Sequence, residues 1–253
     1  MAINKIFIFL MLIFTNLFGK VIEIKNIKEA KKEIKKYSLV IFDLDNTIME
    51  PVQHLGSDQW FSHRIQHHEK NGLDFKESLE RTLHEWYEIQ AITKVKLVEK
   101  DIKNLIENLQ KDNIAIMGLT TRDMDFSLAA LKQLKSLDIS LDKSSLHKQN
   151  IYFENGILYK NGILFANGMN KGHVLDQFFK KIEFLPKSVV FIDDKLKHLT
   201  EVENFCKKVD VNFLGFRYGY LDEKVKSFDK GIADIQHKKL KILSDKEAKR
   251  KLK

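Results

Sequence analysis

Cysteine is nearly missing from this sequence: Cys206 is the single one in 253 residues. That excludes an internal disulfide and a thiolate zinc cage. Cys206 itself lies in a helical pattern and reads as a small buried apolar residue. Proline is scarce too, two residues beside eleven glycines, which argues against long flexible linkers. No fixed-period repeat or low-complexity tract is present, so solenoid architectures drop out. A large single-sign charge is also absent from the body. The formal net charge is +8, but residues 1–19 carry one of those charges and Lys238–Lys253 six, leaving one for residues 20–237. With a nearly neutral body the basic pI does not mark a nucleic-acid-binding protein, and no nucleic-acid partner is expected; one basic tail accounts for most of the high pI. The tail reads as a solvated helix end, with docking on anionic lipid or another polyanion as the sharper alternative.

What is present suffices for a globular core. Hydrophobic residues make up 43% of the chain, and the length fits one domain with an insertion or two small domains. The N-terminus pairs Lys5 with the apolar run Ile6–Phe14. A positive start and a short apolar stretch predict an export signal over residues 1–19, since a membrane span needs about 20 residues. Gly19 suits a cleavage site and Leu17 does not, so an uncleaved anchor is the alternative. Either way the chain is expected to be exported: periplasmic, secreted or membrane-anchored.

The most informative stretch is Leu39–Ile48, L-V-I-F-D-L-D-N-T-I. A continuous apolar run predicts a strand buried on both faces, as in a parallel sheet. Asp43 and Asp45 follow at its carboxyl end, where open α/β sheets place their ligands. Two carboxylates that close need a cation between them, and one Mg²⁺ with one substrate phosphate satisfies them. The competing reading is an ordinary turn in which Asp bonds backbone amides.

The rest of the chain supplies context. Spacing predicts helices over Gly56–Lys70, Phe75–Gln90 and Lys94–Gln110, the first two forming a helical insert at about 50–95. Trp60, Phe61, Trp86 and Tyr87 are expected to pack those helices together, with a pocket lining as the alternative. His63 and His67 have metal-ligand spacing, but with His68 they read as surface residues because no third ligand is evident. Ile114–Leu119 predicts a second buried strand, ending on Thr120, Thr121 and Arg122, and a helix follows over Met124–Leu137. Ile139–Leu141 predicts a short third strand. Asn-Gly recurs at 155–156, 161–162 and 167–168, which predicts a small β-meander. Lys171 opens the next helix, where the helix dipole gives a cation no advantage; an anion facing it would. Ser188–Ile192 predicts a fourth core strand, ending on Asp193 and Asp194. A helix over Leu196–Lys207 and a fifth strand over Val209–Phe216 complete the body, residues 20–237, ahead of the basic tail 238–253.

The ordered set Asp43-x-Asp45-x-Thr47, Thr120, Lys171 and Asp193-Asp194 resembles the haloacid dehalogenase (HAD) superfamily over about residues 37–217. Thr120-x-Arg122 and the export signal are similar to its acid-phosphatase branch. The phrasing N-K-G-H-V-L and F-I-D-D-K is similar to exported bacterial HAD-like proteins of unknown function. The resemblance implies an α/β fold: a HAD-like Rossmannoid with a central, mostly parallel sheet flanked by helices. A small helical cap insert would follow the first strand, and a small β-meander would precede the fourth core strand. It implies a Mg²⁺-dependent phosphatase acting on a small-molecule phosphate ester through an aspartyl-phosphate, with a silent exported binding protein as the alternative. Asp43 would be the nucleophile and Asp45 the general acid and base. Asp43, Asp45, Asp193 and Asp194 would hold Mg²⁺, Asp45 through its backbone carbonyl. Thr120, Thr121, Arg122 and Lys171 would bind the phosphate. Thr47 would fix the loop. The sequence departs from the family a few residues past the acidic pair, where Lys197 and His198 stand in place of the Asp or Asn that many relatives carry.

Overall fold

The computed structural model describes residues 19–239 and 244–252; apart from Gly19, the predicted export signal lies outside them. In chain order the body runs β1 (Lys20–Ile24), α1 (Lys31–Ile34), β2 (Leu39–Phe42), β3 (Met49–Pro51), α2 (Asp58–Lys70), α3 (Phe75–Ile92), β4 (Val95–Leu97), α4 (Lys100–Lys111), β5 (Ala115–Thr120) and α5 (Ser127–Ser136). It continues through β6 (Ile151–Tyr152), β7 (Leu158–Lys160), β8 (Ile163–Phe165), α6 (Lys171–Lys181), β9 (Ser188–Asp193), α7 (Leu196–Lys208), β10 (Asn212–Tyr218), α8 (Asp222–Lys226), α9 (Lys230–Lys239) and α10 (Asp245–Arg250).

Eight strands form one sheet in the order β1-β10-β9-β2-β5-β8-β7-β6. Every pairing from β1 across to β8 is parallel; only the β8–β7 and β7–β6 hairpins are antiparallel. Alternate residues of β2 feed two separate cores. Val40 and Phe42 join Ile116, Val190 and Ile192 on one face; Leu39 and Ile41 join Met117, Leu119, Val189 and Phe191 on the other. Strands buried on both faces need side chains apolar at every position, which is why β2, β5 and β9 read as unbroken apolar runs. This is the HAD-like Rossmannoid architecture, with β2 between β5 and β9 at the centre.

Three local expectations are corrected. Lys94–Gln110 is not one helix: Val95–Leu97 pairs antiparallel with Met49–Pro51, and this two-stranded ribbon clips the base of the insert. Ile139 and Leu141 are buried, but the stretch Ile139–Leu141 forms no strand. The edge of β5 is already occupied, because the Ser144 carbonyl accepts from the Ile116 amide and the Gly162 carbonyl from the Gly118 amide. At the opposite edge of the sheet β1 pairs with β10, far along the chain. Last, the end of the chain is not simply solvated. Helix α10 folds against α9, Ala248 is buried, and Asp245 accepts from the His54 amide and the Gln236 side chain.

The meander follows its turn chemistry. Asn155-Gly156, Asn161-Gly162 and Asn167-Gly168 all have positive φ at both residues, the conformation that this dipeptide tolerates best. In the insert, Ser57 caps α2 and Asp74 caps α3 through their side chains. Trp60 and Trp86 stack between the two helices at 5.9 Å. Leu55, Ile89, Phe126 and Ala233 complete that cluster, so α9 packs on the insert as well.

Candidate active site at the carboxyl end of the sheet

Strand register brings the acids together. Phe42 sits opposite Ile192 on one side and Gly118 on the other. Asp43 and Asp193 therefore leave adjacent strands at the same level, with Thr120 two residues beyond Gly118. The Asp43 amide continues the ladder by donating to the Ile192 carbonyl at 2.9 Å. The chain then turns sharply: the amides of Ile48 and Met49 both donate to the Leu44 carbonyl, and Asn46 takes a φ of 58°. That turn carries Asp45 over the same end of the sheet, and Asn46 donates to Asp194 at 3.3 Å.

Lys171 is the hub. Its Nζ donates to Asp43 Oδ1 at 2.6 Å and to Asp193 Oδ2 at 2.7 Å, and its side chain is fully buried. It reaches this point because α6 approaches α7 very closely at Gly172. A Cβ on Gly172 would lie 2.1 Å from the Glu201 carbonyl oxygen, so only glycine fits. The Lys171 amide also donates to the Glu201 side chain at 2.8 Å. Burial opposes the charge on Lys171, but Asp193 and Asp43 outweigh it and raise its pKa. Burial likewise opposes charge on Asp193, yet Lys171 and His198 hold its pKa below the usual carboxylate value.

Asp43 behaves differently. Burial, helped by Asp193, Asp194 and Asp45, drives its pKa well up against the pull of Lys171. Burial and Asp193 push Asp194 up to about 7. The centre is short of positive charge. Five carboxylates (Asp43, Asp45, Asp58, Asp193, Asp194) face three fixed cations, Lys171, Arg122 and Lys195. Counted with all five ionised and His198 left aside, the deficit is two charges, that of one divalent cation. Hard carboxylate oxygens are the donors Mg²⁺ prefers. Ligand atoms of Asp43, Asp193 and His198 lie within 4.8 Å of one another. The residues therefore fit the ion.

The other candidates take defined places. Thr120 is buried, and its hydroxyl accepts from the Arg122 amide at 3.2 Å, which leaves its own proton free to donate. Arg122 points back into the protein. It forms a bidentate pair with Asp45 at 2.7 and 2.8 Å and donates to Gln133 at 2.9 Å, so a phosphate would share it with Asp45. Thr121 and Arg122 line a cavity of about 340 Å³ that also touches Asp45, Asp58 and Lys195. Thr47 is fully buried, and its hydroxyl has no hydrogen-bond partner. The histidines of the insert lie in a row, with ring centroids 6.4 Å apart for His63 and His67 and 5.6 Å for His67 and His68, but each has its own partner: His63 contacts Asp234, His68 contacts Glu85, and His67 contacts Asn71.

Two residues emerge that sequence reasoning gave no role. His198 Nδ1 lies 3.0 and 3.1 Å from the two oxygens of Asp193, supporting that carboxylate from behind. It stands at the departure from the family pattern, which was the available signal. Asp58, at the start of α2, pairs with Lys195 just past the acidic pair and ties the insert to the centre. No sequence signal marked that pair.

The chain is similar to curated chlamydial proteins. It is 29% identical over 234 residues to a Chlamydia pneumoniae protein named "Putative outer membrane protein", covering 89% of this chain and 87% of that one. It is 26% identical over 206 residues to a protein of the same name from Chlamydia trachomatis, covering 78% and 76%. Among solved structures, a "Putative Phosphatase" from Clostridium difficile matches 75% of this chain and 98% of its own at 13% identity and a TM-score of 0.46. A haloacid dehalogenase-like hydrolase from Streptococcus pneumoniae matches 72% and 94% at 13% identity and 0.45. Residues 20–249 match, almost end to end, the family described as "Protein of unknown function (DUF2608)", and the chain belongs to that family.

Proposed function

We propose that this protein is a Mg²⁺-dependent phosphomonoesterase working through an aspartyl-phosphate. The observation that carries the reading is the buried triangle of Asp43, Lys171 and Asp193 at the ends of two adjacent parallel strands, 2.6 and 2.7 Å on its polar edges. A buried lysine bridging two carboxylates is expensive to assemble; a site that must bring an anionic nucleophile to an anionic phosphate needs one.

In this scheme an Asp43 oxygen bonds to phosphorus while the ester oxygen departs, taking a proton from Asp45. Asp45 then removes a proton from water. The water oxygen attacks the phosphorus of the acyl phosphate, which releases inorganic phosphate and regenerates the Asp43 carboxylate. Thr120 and Lys171 donate to the equatorial phosphoryl oxygens, where charge accumulates in the transition state. Arg122 orients Asp45 through its two-point contact. Asp43, Asp193, the Asp45 backbone carbonyl and Asp194 would hold Mg²⁺, whose charge offsets the repulsion between carboxylate and phosphate. His198 keeps Asp193 in position for that task.

Location follows the same reading. The positively led apolar N-terminus and the relatives' outer-membrane names support export to the cell envelope. Among the described residues no helix is long and apolar enough to cross a membrane.

The test is Asp43→Asn. Mg²⁺-dependent hydrolysis of an aryl phosphate should fall by about 10³-fold or more, while the thermal unfolding curve stays cooperative. Hydrolysis at an unchanged rate would mean that another group attacks.

A further inference from the structure

We infer that the substrate is a phosphate monoester bearing one compact apolar or aromatic group and no second anionic group. This deepens the phosphatase reading and rests on it. The cavity of about 340 Å³ opens beside Asp45, between the sheet and the insert. Its volume lies in the range of small-ligand sites. Phe61, Leu79, Leu83 and Trp86 of the insert, with Phe126, form its apolar wall. That wall is braced. Phe61 packs edge-on against Trp86 at 5.0 Å, Trp86 stacks on Trp60, and Phe126 stacks on Tyr87 at 4.1 Å. Rings held by other rings offer a preformed flat surface with little ordering left to do on binding.

The charged rim sets the second half of the inference. The cavity is bordered by three carboxylates, Asp45, Asp58 and Asp123, and two cations, Arg122 and Lys195. Each of these groups already has a protein partner. Arg122 holds Asp45, Lys195 holds Asp58, and the Tyr87 hydroxyl donates to Asp123 at 2.6 Å. A leaving group carrying a second phosphate or a carboxylate would meet an excess of negative charge and would have to break an existing ion pair to find a cation. An apolar group meets the ring-lined wall and disturbs nothing. The transferred phosphoryl group is served separately, by Lys171 and Thr120 in the buried centre.

Benzyl phosphate, glycerol 1-phosphate and phosphoglycolate provide the test, because each releases a primary alcohol and they differ in what that alcohol carries. With the full-length chain and Mg²⁺, kcat/KM for benzyl phosphate should exceed that for phosphoglycolate by about tenfold or more, the scale of one well-filled apolar contact, with glycerol 1-phosphate between. Leu79→Lys, which places a cation on the half-buried wall, should narrow or reverse that ratio. Tryptophan fluorescence provides a second arm that needs no turnover: benzylphosphonate should change the emission at lower concentration than phosphonoacetate does. Asp43-dependent hydrolysis that favours phosphoglycolate would overturn the inference and leave the phosphatase reading standing. Discrimination between the phosphonates without Asp43-dependent hydrolysis would overturn the phosphatase reading, and with it the substrate assignment, leaving only the cavity's preference for an apolar ligand. Failure of benzylphosphonate to perturb the tryptophans would also overturn the inference.

Discussion

The buried centre and the helical insert that roofs it are built by opposite means. In the centre, Asp43, Thr120, Lys171 and Asp193 come from four well-separated stretches and converge because β2, β5 and β9 run parallel in one register. In the insert, α2 and α3 are neighbours in the chain and fold on each other through Trp60, Trp86 and their surroundings. The centre is charge-dense and buried; the insert is aromatic, with a part-buried ion pair of its own between Arg64 and Glu85. In the phosphatase reading proposed above, a charge-dense centre would take the phosphoryl group and read nothing of what is attached to it. An apolar roof has the complementary ability. The division predicts that changes in the centre alter stability and rate together, whereas changes in the insert alter preference.

Lys171→Met gives the largest contrast. It removes the cation between Asp43 and Asp193, and breaking a buried pair by deleting one partner costs about 3–5 kcal/mol. Denaturant unfolding should show that loss. Saturating Mg²⁺ should restore part of it, because an ion that binds only the folded chain stabilises it by mass action. Equal losses with and without Mg²⁺ would argue against a divalent ion at these carboxylates. Gly172→Ala comes next. Its Cβ would fall 2.1 Å from the Glu201 carbonyl oxygen, so α6 must move and carry Lys171 with it. Overpacking of this kind costs about 1–3 kcal/mol. A shift of Lys171 by about 1 Å would lower kcat by up to about 10²-fold. A variant with normal kcat would show that Lys171 need not be held so tightly.

The same division decides what could be read from the sequence. Asp43 and Asp193 stood out because strands buried on both faces leave unbroken apolar runs, and an acid at the end of such a run is conspicuous. Lys171 stood out because a helix start gives it no local advantage. Features that depend on a partner far along the chain left no such trace. Arg122 bonds Asp45 across 77 positions, and β1 pairs with β10 about as far apart as Glu23 and Arg217, which also bond. Neither separation has a period. Val95–Leu97 was hidden for the opposite reason. Its apolar spacing also suits a helix, and only pairing with Met49–Pro51 settles it as strand. His198 was visible as a departure from the family pattern, but its contact with Asp193 needs the turn from β9 into α7 to be known.

The smallest expected effect belongs to the insert and is pH-dependent. Arg64 holds Glu85 at 2.6 and 2.7 Å, with His68 beside the same carboxylate at 3.1 Å. Burial works against the charge on Glu85, but Arg64 prevails and its pKa is lowered. Because the folded chain keeps this carboxylate ionised to lower pH than the unfolded chain does, the stabilisation is complete above the ordinary glutamate pKa. It disappears as the pH falls through the lowered, folded value. The pair is partly solvated, so its worth is about 1 kcal/mol at most. The difference in melting temperature between the parent and Glu85→Gln should therefore be small but positive at neutral pH and shrink towards zero on acidification. It should also shrink in high salt. Catalytic preference should be unchanged, since Glu85 does not border the cavity. A gap that widened at low pH would mean that the insert is held by the neutral carboxyl group, and its separation from the charge-dense centre would need another explanation.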